Sequence, residues 1–158
     1  MKAEEKTNVM RLLDAKKIKY SSRCYAGTGA VSGTEVAEIL GEDPARVFKT
    51  LVTVGKSGGH YVFVIPSLRE LDLKKAAKSV GEKSVEMIKS KALLPLTGYI
   101  HGGCSPIGMK KFFPTVLDSS ARDFETIFFS AGKIGYQVEV APGDLGKIIR
   151  FKFDSLTT

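Results

Sequence analysis

The sequence predicts an α+β chain built on a mixed β-sheet or partial barrel flanked by helices. Three observations carry that expectation. Helix caps and strand-like runs interleave along all 158 residues. Hairpins are frequent among them, which fits a mixed sheet better than a doubly wound parallel one. Apolar residues make up 43% and charged residues 26%, an ordinary globular composition with enough apolar side chains to fill a core.

Each element has a local reason. Thr7 caps a first helix running to about Lys16, with Val9, Met10 and Leu13 on one side. A short strand follows over residues 19–25. Ser32 with Glu35 three positions on is a capping box. It opens a second helix whose buried face is read as Val36, Ile39 and Leu40, with Gly41 as its stop. Asp43-Pro44 starts a short helical turn. Residues 48–54 and 61–65 flank Gly55-Lys56-Ser57-Gly58-Gly59 and read as a hairpin, the strongest β signal of the chain. Asp72 opens a helix through Ala76 and Ala77 that Gly81 ends. Residues 90–96 suggest another helix. Strands are expected at 115–117, 126–130 and 136–140, the last two joined by a turn over residues 131–135. Pro142 starts a last helix to about Ile149, and residues 151–153 close the chain as a strand. No linker or repeat divides it, so residues 1–158 read as a single domain, folded from about Lys6 to Phe153.

Charge narrows the partners. Lys and Arg number 24 against 17 Asp and Glu, a net +7. That balance fits either a solvated basic surface or a polyanion, most often nucleic acid. The pairs Lys16-Lys17, Lys74-Lys75 and Lys110-Lys111 are spread along the chain, which favours a folded basic face over a basic tail. No apolar run approaches the roughly 20 residues of a membrane helix. The first six residues carry two acids and no apolar block follows, unlike a secretory signal. Cys24 and Cys104 lie too far apart for a metal or redox motif. The expectation is a soluble cytoplasmic protein with reduced thiols.

Conventional chemistry is sparse. There is no Walker loop, no dinucleotide fingerprint and no Cys/His cluster, and Gly27-Thr28-Gly29 is too little for a phosphate loop, so neither cofactor nor metal is expected. His60 reads as a solvated turn histidine. His101 is either structural or faces a pocket. Gly102-Gly103-Cys104-Ser105-Pro106-Ile107-Gly108 is either a tight turn or a backbone site for an oxyanion. Cys104 has no base beside it to make it a nucleophile. Lys49, inside the apolar run Val47-Phe48-Lys49-Thr50-Leu51-Val52, either faces solvent by strand alternation or meets an anionic or carbonyl-bearing partner in a cleft.

Phe48-Lys49-Thr50-Leu51-Val52, Leu73-Lys74-Lys75-Ala76-Ala77-Lys78, Thr97-Gly98-Tyr99, the Gly102–Gly108 stretch, Gly132-Lys133-Ile134-Gly135 and Glu139-Val140-Ala141-Pro142-Gly143-Asp144-Leu145 occur here in one order. In that order they resemble the YbaK-like aminoacyl-tRNA deacylases over nearly the whole chain. The nearest branch is the Cys-tRNA(Pro) deacylases, relatives of the editing domain of prolyl-tRNA synthetases. The resemblance implies the mixed β-fold of that editing domain and trans-editing of tRNA(Pro) carrying cysteine, alongside prolyl-tRNA synthetase. A proline-sized pocket discriminates poorly against so similar a side chain. It implies Lys49 and Gly103 as catalytic, and Tyr25, Thr50, Gly102, Ser130 and Asp144 as substrate-binding. It also implies that the substrate's own thiol attacks its ester, an intramolecular step favoured by proximity. Cys104 stands where the family usually carries an apolar residue. Two other readings stay open: an Ala-tRNA(Pro) deacylase, and a non-catalytic tRNA- or nucleotide-binding module of the same fold.

Overall fold

The computed structural model describes residues 6–158, so most of the N-terminal stretch read for a signal lies outside the described residues. Helix α1 (Asn8–Ala15) starts where the Thr7 hydroxyl accepts from the Met10 N–H, and it buries Val9, Met10 and Leu13. Strand β1 (Tyr20–Cys24) follows. In α2 (Gly33–Leu40) both halves of the Ser32–Glu35 capping box close, and Gly41 ends the helix in the left-handed region at φ 70°. The buried face differs from the sequence reading: Val36 and Ala37 are buried, whereas Ile39 is 48% exposed. Small Ala37 lets α2 sit directly on Val47 and Phe128. Ile39, two residues further, is carried about 200° round the helix and away from that contact.

A 3₁₀ turn (Pro44–Arg46) leads into β2 (Phe48–Gly55), which pairs with β3 (His60–Pro66) as the expected hairpin. His60 is not the free turn residue expected: it is half-buried, its ring edge-on to Phe113 at 5.8 Å. After α3 (Leu73–Val80) comes β4 (Val85–Met87), a strand with no sequence forewarning because three residues show no period and only Val85 is buried. Then follow α4 (Ser90–Thr97), β5 (Thr115–Asp118), β6 (Ile127–Ser130), β7 (Tyr136–Val140), α5 (Pro142–Leu145) and β8 (Phe151–Asp154). Helix α5 is shorter than expected, stopping at Leu145 with Gly146 as its cap rather than reaching Ile149.

Two sheets result. The smaller is antiparallel, ordered β1-β7-β6; the larger is mixed, ordered β4-β2-β3-β5-β8, with β3-β5 and β5-β8 parallel. A single parallel bridge, Val47 to Phe128, links them. The main core lies between the sheets and under α1, where Val52, Val62 and Leu117 meet Phe129, Val138 and Val140. A second cluster, with Phe63 and Ile65 of β3, packs the other face of the large sheet against Ala76 and Ala77 of α3. No helix among the described residues is long and apolar enough to cross a membrane.

Candidate active site

The site grows from an unfinished strand edge. β3 pairs with β2 from Phe48 to Val54, while β4 reaches only Thr53–Gly55 on the other side. On that other side the Val52 carbonyl accepts from the Ile88 N–H at 3.3 Å. Backbone groups alternate in direction, so Thr50 turns its N–H and C=O the same way, with no ladder partner on that side among the described residues, whereas Phe48 lies next to the Val47–Phe128 bridge to β6. A cleft of about 790 Å³ lies against this edge, within the roughly 300–1,000 Å³ of small-molecule sites. Its other walls come from the first turn of α2, from α4, from the segment at His101 and Gly102, and from the ends of β6 and β7.

Lys49 is half-buried on the cleft wall, and its ammonium has no ion pair among the described residues. It shares a strand face with Leu51, which packs on the α3 cluster, while Thr50 points to the opposite face. The Thr50 hydroxyl is buried without a hydrogen-bond partner among the described residues. Across the cleft, Ser130 and Gln137 are register partners of β6 and β7. The Ser130 hydroxyl accepts from the Gly132 N–H at 3.0 Å, which fixes it at the strand end. Tyr25 is buried on the same wall, its N–H donating to the Gly135 carbonyl at 2.7 Å; burial pushes its phenol up.

The glycine-rich stretch is a tight turn with a cleft-facing start. Gly102 at φ 89° and Gly108 at φ 80° hold left-handed conformations that favour glycine. The Tyr99 hydroxyl ties the turn down by donating to the Ile107 carbonyl at 2.5 Å. Cys104 lines the cleft but is 9% exposed, and burial pushes its thiol up to about 12.

Of the residues expected from the sequence, Tyr25, Lys49, Thr50, Gly102 and Ser130 meet in this cleft. Gly103 and Asp144 do not line it. The Gly103 N–H donates to the Ile100 carbonyl at 3.0 Å, and a Cβ there would lie 3.1 Å from the Ile134 nitrogen, so this glycine admits the neighbouring turn. Asp144 pairs with Lys147 at 2.9 Å. His101 does line the cleft and is exposed. Gln137 went unnoticed in the sequence, because Gln137 and Glu139 alternate like the solvent face of an ordinary strand, yet Gln137 is only 3% exposed. No group of three potential metal-ligating side chains occurs among the described residues.

Likenesses to known proteins extend over most of the chain. The sequence profile of the aminoacyl-tRNA editing domain matches residues 28–148. A protein of Enterococcus faecalis, provisionally named a Cys-tRNA(Pro)/Cys-tRNA(Cys) deacylase, is 48% identical over 158 residues, covering 99% of this chain and 96% of its own. A proline–tRNA ligase of Shouchella clausii is 31% identical over 119 residues, 75% of this chain but 21% of the ligase. Among solved structures, a provisional trans-editing enzyme for prolyl-tRNA synthetase superposes with TM-score 0.81 at 23% identity, over 96% of this chain and 98% of that one. A hypothetical protein superposes with TM-score 0.85 at 20% identity, over 96% of this chain and all of the other (100%). These two structures speak for the fold.

Proposed function

The chain belongs to the aminoacyl-tRNA editing domain family, and from that premise we propose that it removes cysteine from mischarged Cys-tRNA(Pro). The observation that carries this reading is the cleft itself. It brings Lys49, whose ammonium has no ion pair among the described residues, to the same cleft as the open strand edge at Thr50 and the backbone of Gly102. Those groups suit an acyl ester, whose carbonyl oxygen becomes negative as the bond breaks.

The protein need not supply the nucleophile. In the proposed step the substrate's thiolate sulfur attacks its own ester carbonyl carbon. A C–S bond forms, the C–O bond to the terminal ribose breaks, and the ribose oxygen leaves with a proton from water. The products are a cyclic thioester and free tRNA. Lys49 stabilises the developing oxyanion, while Tyr25, Thr50, Gly102 and Ser130 hold the terminal adenosine and the aminoacyl group. Gly103 and Asp144 serve the local structure of their turns. Orientation alone is a large lever, with effective molarities of about 10⁵ M or more for well-aligned groups. We place the protein in the cytoplasm as a one-domain editing factor, with prolyl-tRNA synthetase supplying the choice of tRNA.

The test is loss of the ester from Cys-tRNA(Pro), Ala-tRNA(Pro) and Pro-tRNA(Pro), measured with the wild type and Lys49→Ala. Wild type should cleave the cysteinyl ester in preference to the other two. Removing one oxyanion-stabilising group typically costs about 10²–10³ in rate. Lys49→Arg should recover only part of that loss, since a planar guanidinium does not replace a point charge. A folded Lys49→Ala protein working within a few-fold of wild type overturns the assignment.

A further inference from the structure

Behind the cleft wall stands a carboxylate that the reaction above does not use. Glu42 follows the left-handed Gly41, and its N–H donates to the Ala37 carbonyl at 2.8 Å, closing the end of α2. That turn sends its side chain inward, where it is 1% exposed. Burial pushes the carboxyl up, opposed first by the Gln137 amide and then by Arg23. Among the described residues neither Glu42 oxygen has a hydrogen-bond partner at normal length, and Arg23 Nε stands 3.8 Å from Oε2.

Gln137 lies between this carboxylate and the cleft. It is 3% exposed, it lines the cleft, and its Oε1 has no partner among the described residues. An ionised carboxylate only accepts hydrogen bonds, so it favours the NH₂ end of the neighbouring amide. The amide oxygen is then left for the cleft. A buried acceptor without a donor is costly, which is a reason to look for the donor in a ligand.

The cleft thus presents two unlike ends. Lys49 and the backbone of β2 suit a carbonyl gaining negative charge, and Gln137 with Glu42 suits a cation. An aminoacyl ester carries both groups two bonds apart, the carbonyl and the α-ammonium. We infer that Gln137, oriented by Glu42 behind it, is the acceptor that reads the α-ammonium group of the aminoacyl ester. The inference rests on the deacylase reading and adds to it a contact residue, Gln137, and a positioning residue, Glu42.

N-acetylation tests it, because it removes the cation and leaves thiol and ester intact. Wild type, Gln137→Leu and Glu42→Gln are compared on Cys-tRNA(Pro) and N-acetyl-Cys-tRNA(Pro), with melting curves confirming folded protein. Losing a charge-assisted hydrogen bond corresponds to about 10- to 100-fold in rate. Gln137→Leu should show such a loss on the free amine and less than about 2-fold on the acetylated ester. Glu42→Gln should erode the same preference through KM more than kcat. Equal losses on both esters in folded Gln137→Leu overturn the inference. Should that variant fail to fold, an unchanged preference in Glu42→Gln does so instead. If wild type cleaves neither ester, the deacylase reading has failed, and binding decides the inference. A non-hydrolysable 3′-cysteinylamido-adenosine should then bind tighter than its N-acetyl form in wild type but not in Gln137→Leu; equal binding in wild type overturns it.

Discussion

Cys104 shows how burial separates a reactive residue type from a reactive residue. It touches the cleft, yet it packs in the main core beside Ile107 and Ala131. With a thiol pushed up to about 12, only about one molecule in 10⁵ carries the thiolate at pH 7. The expected outcome for Cys104→Ser is therefore deacylation within a few-fold of wild type. Stability should drop by about 1 kcal/mol, the size of burying one more polar hydroxyl in an apolar setting. Ester-release assays and a melting curve on the same preparation read both. Abolished activity with an intact melting transition would make Cys104 a nucleophile and remove the substrate-thiol mechanism. A serinyl ester on the same tRNA should react slowly with wild type, because its hydroxyl is almost entirely un-ionised at neutral pH.

At the scale of elements, one carboxylate seats the strand that carries Lys49. Glu139 of β7 accepts from Thr126 at 2.5 Å, from Ser21 of β1 at 2.8 Å, from Arg46 at 2.9 Å and from Arg23 at 3.3 Å. Arg46 lies in the 3₁₀ turn just before β2, and its guanidinium stacks 4.7 Å over Phe128. Burial pushes the Glu139 carboxyl up, but these donors outweigh it and hold the carboxyl down at about 2. Its folded value is therefore below the 4.5 of an unperturbed glutamate. The stabilisation is complete above about pH 4.5 and lost as pH falls through about 2, amounting to at most about 3 kcal/mol. Denaturant titrations from pH 6 down to about 2 should show this decline, and Glu139→Gln should be weaker at pH 6 with a flatter profile. Parallel profiles for both proteins would deny Glu139 that role. The interactions that define elements locally were legible in the sequence: the Thr7, Ser32 and Asp72 caps, the glycine stops and the β2–β3 hairpin are all set within four or five residues. The partners of Glu139 lie up to 118 positions away, and nothing local encodes them. The same distance hid β4, whose three residues make sense only beside β2, and Gln137, which is buried beside Glu42 from the far end of the chain's first third. Lys49 was legible because a charge in an apolar run is a local anomaly; Gln137 in an alternating strand is not.

For the whole molecule, the decisive quantity is the net charge of +7 set against a cleft whose volume suits only the last unit of a tRNA. An aminoacyl-adenosine fills a site of this scale, and the remaining tRNA must lie on the outer surface. Exposed lysines are available there just after the glycine-rich turn and along α3, including Lys110, Lys111, Lys74 and Lys75. Phosphate contacts of this kind release counterions, so the logarithm of affinity falls with the logarithm of salt by roughly 0.7–0.9 per contact. About five contacts would weaken tRNA binding by roughly 10²–10³ between about 50 and 200 mM salt. Binding of uncharged tRNA(Pro), followed by fluorescence anisotropy over that range, measures the slope. Substituting Lys110 and Lys111 together by Gln should lower the slope by about two contacts' worth if both reach phosphates. Neither lysine lines the cleft, so single-turnover cleavage at saturating tRNA should stay near wild type. A salt-independent affinity would mean that the positive balance serves solubility, and that tRNA is held by the cleft and by the synthetase alone.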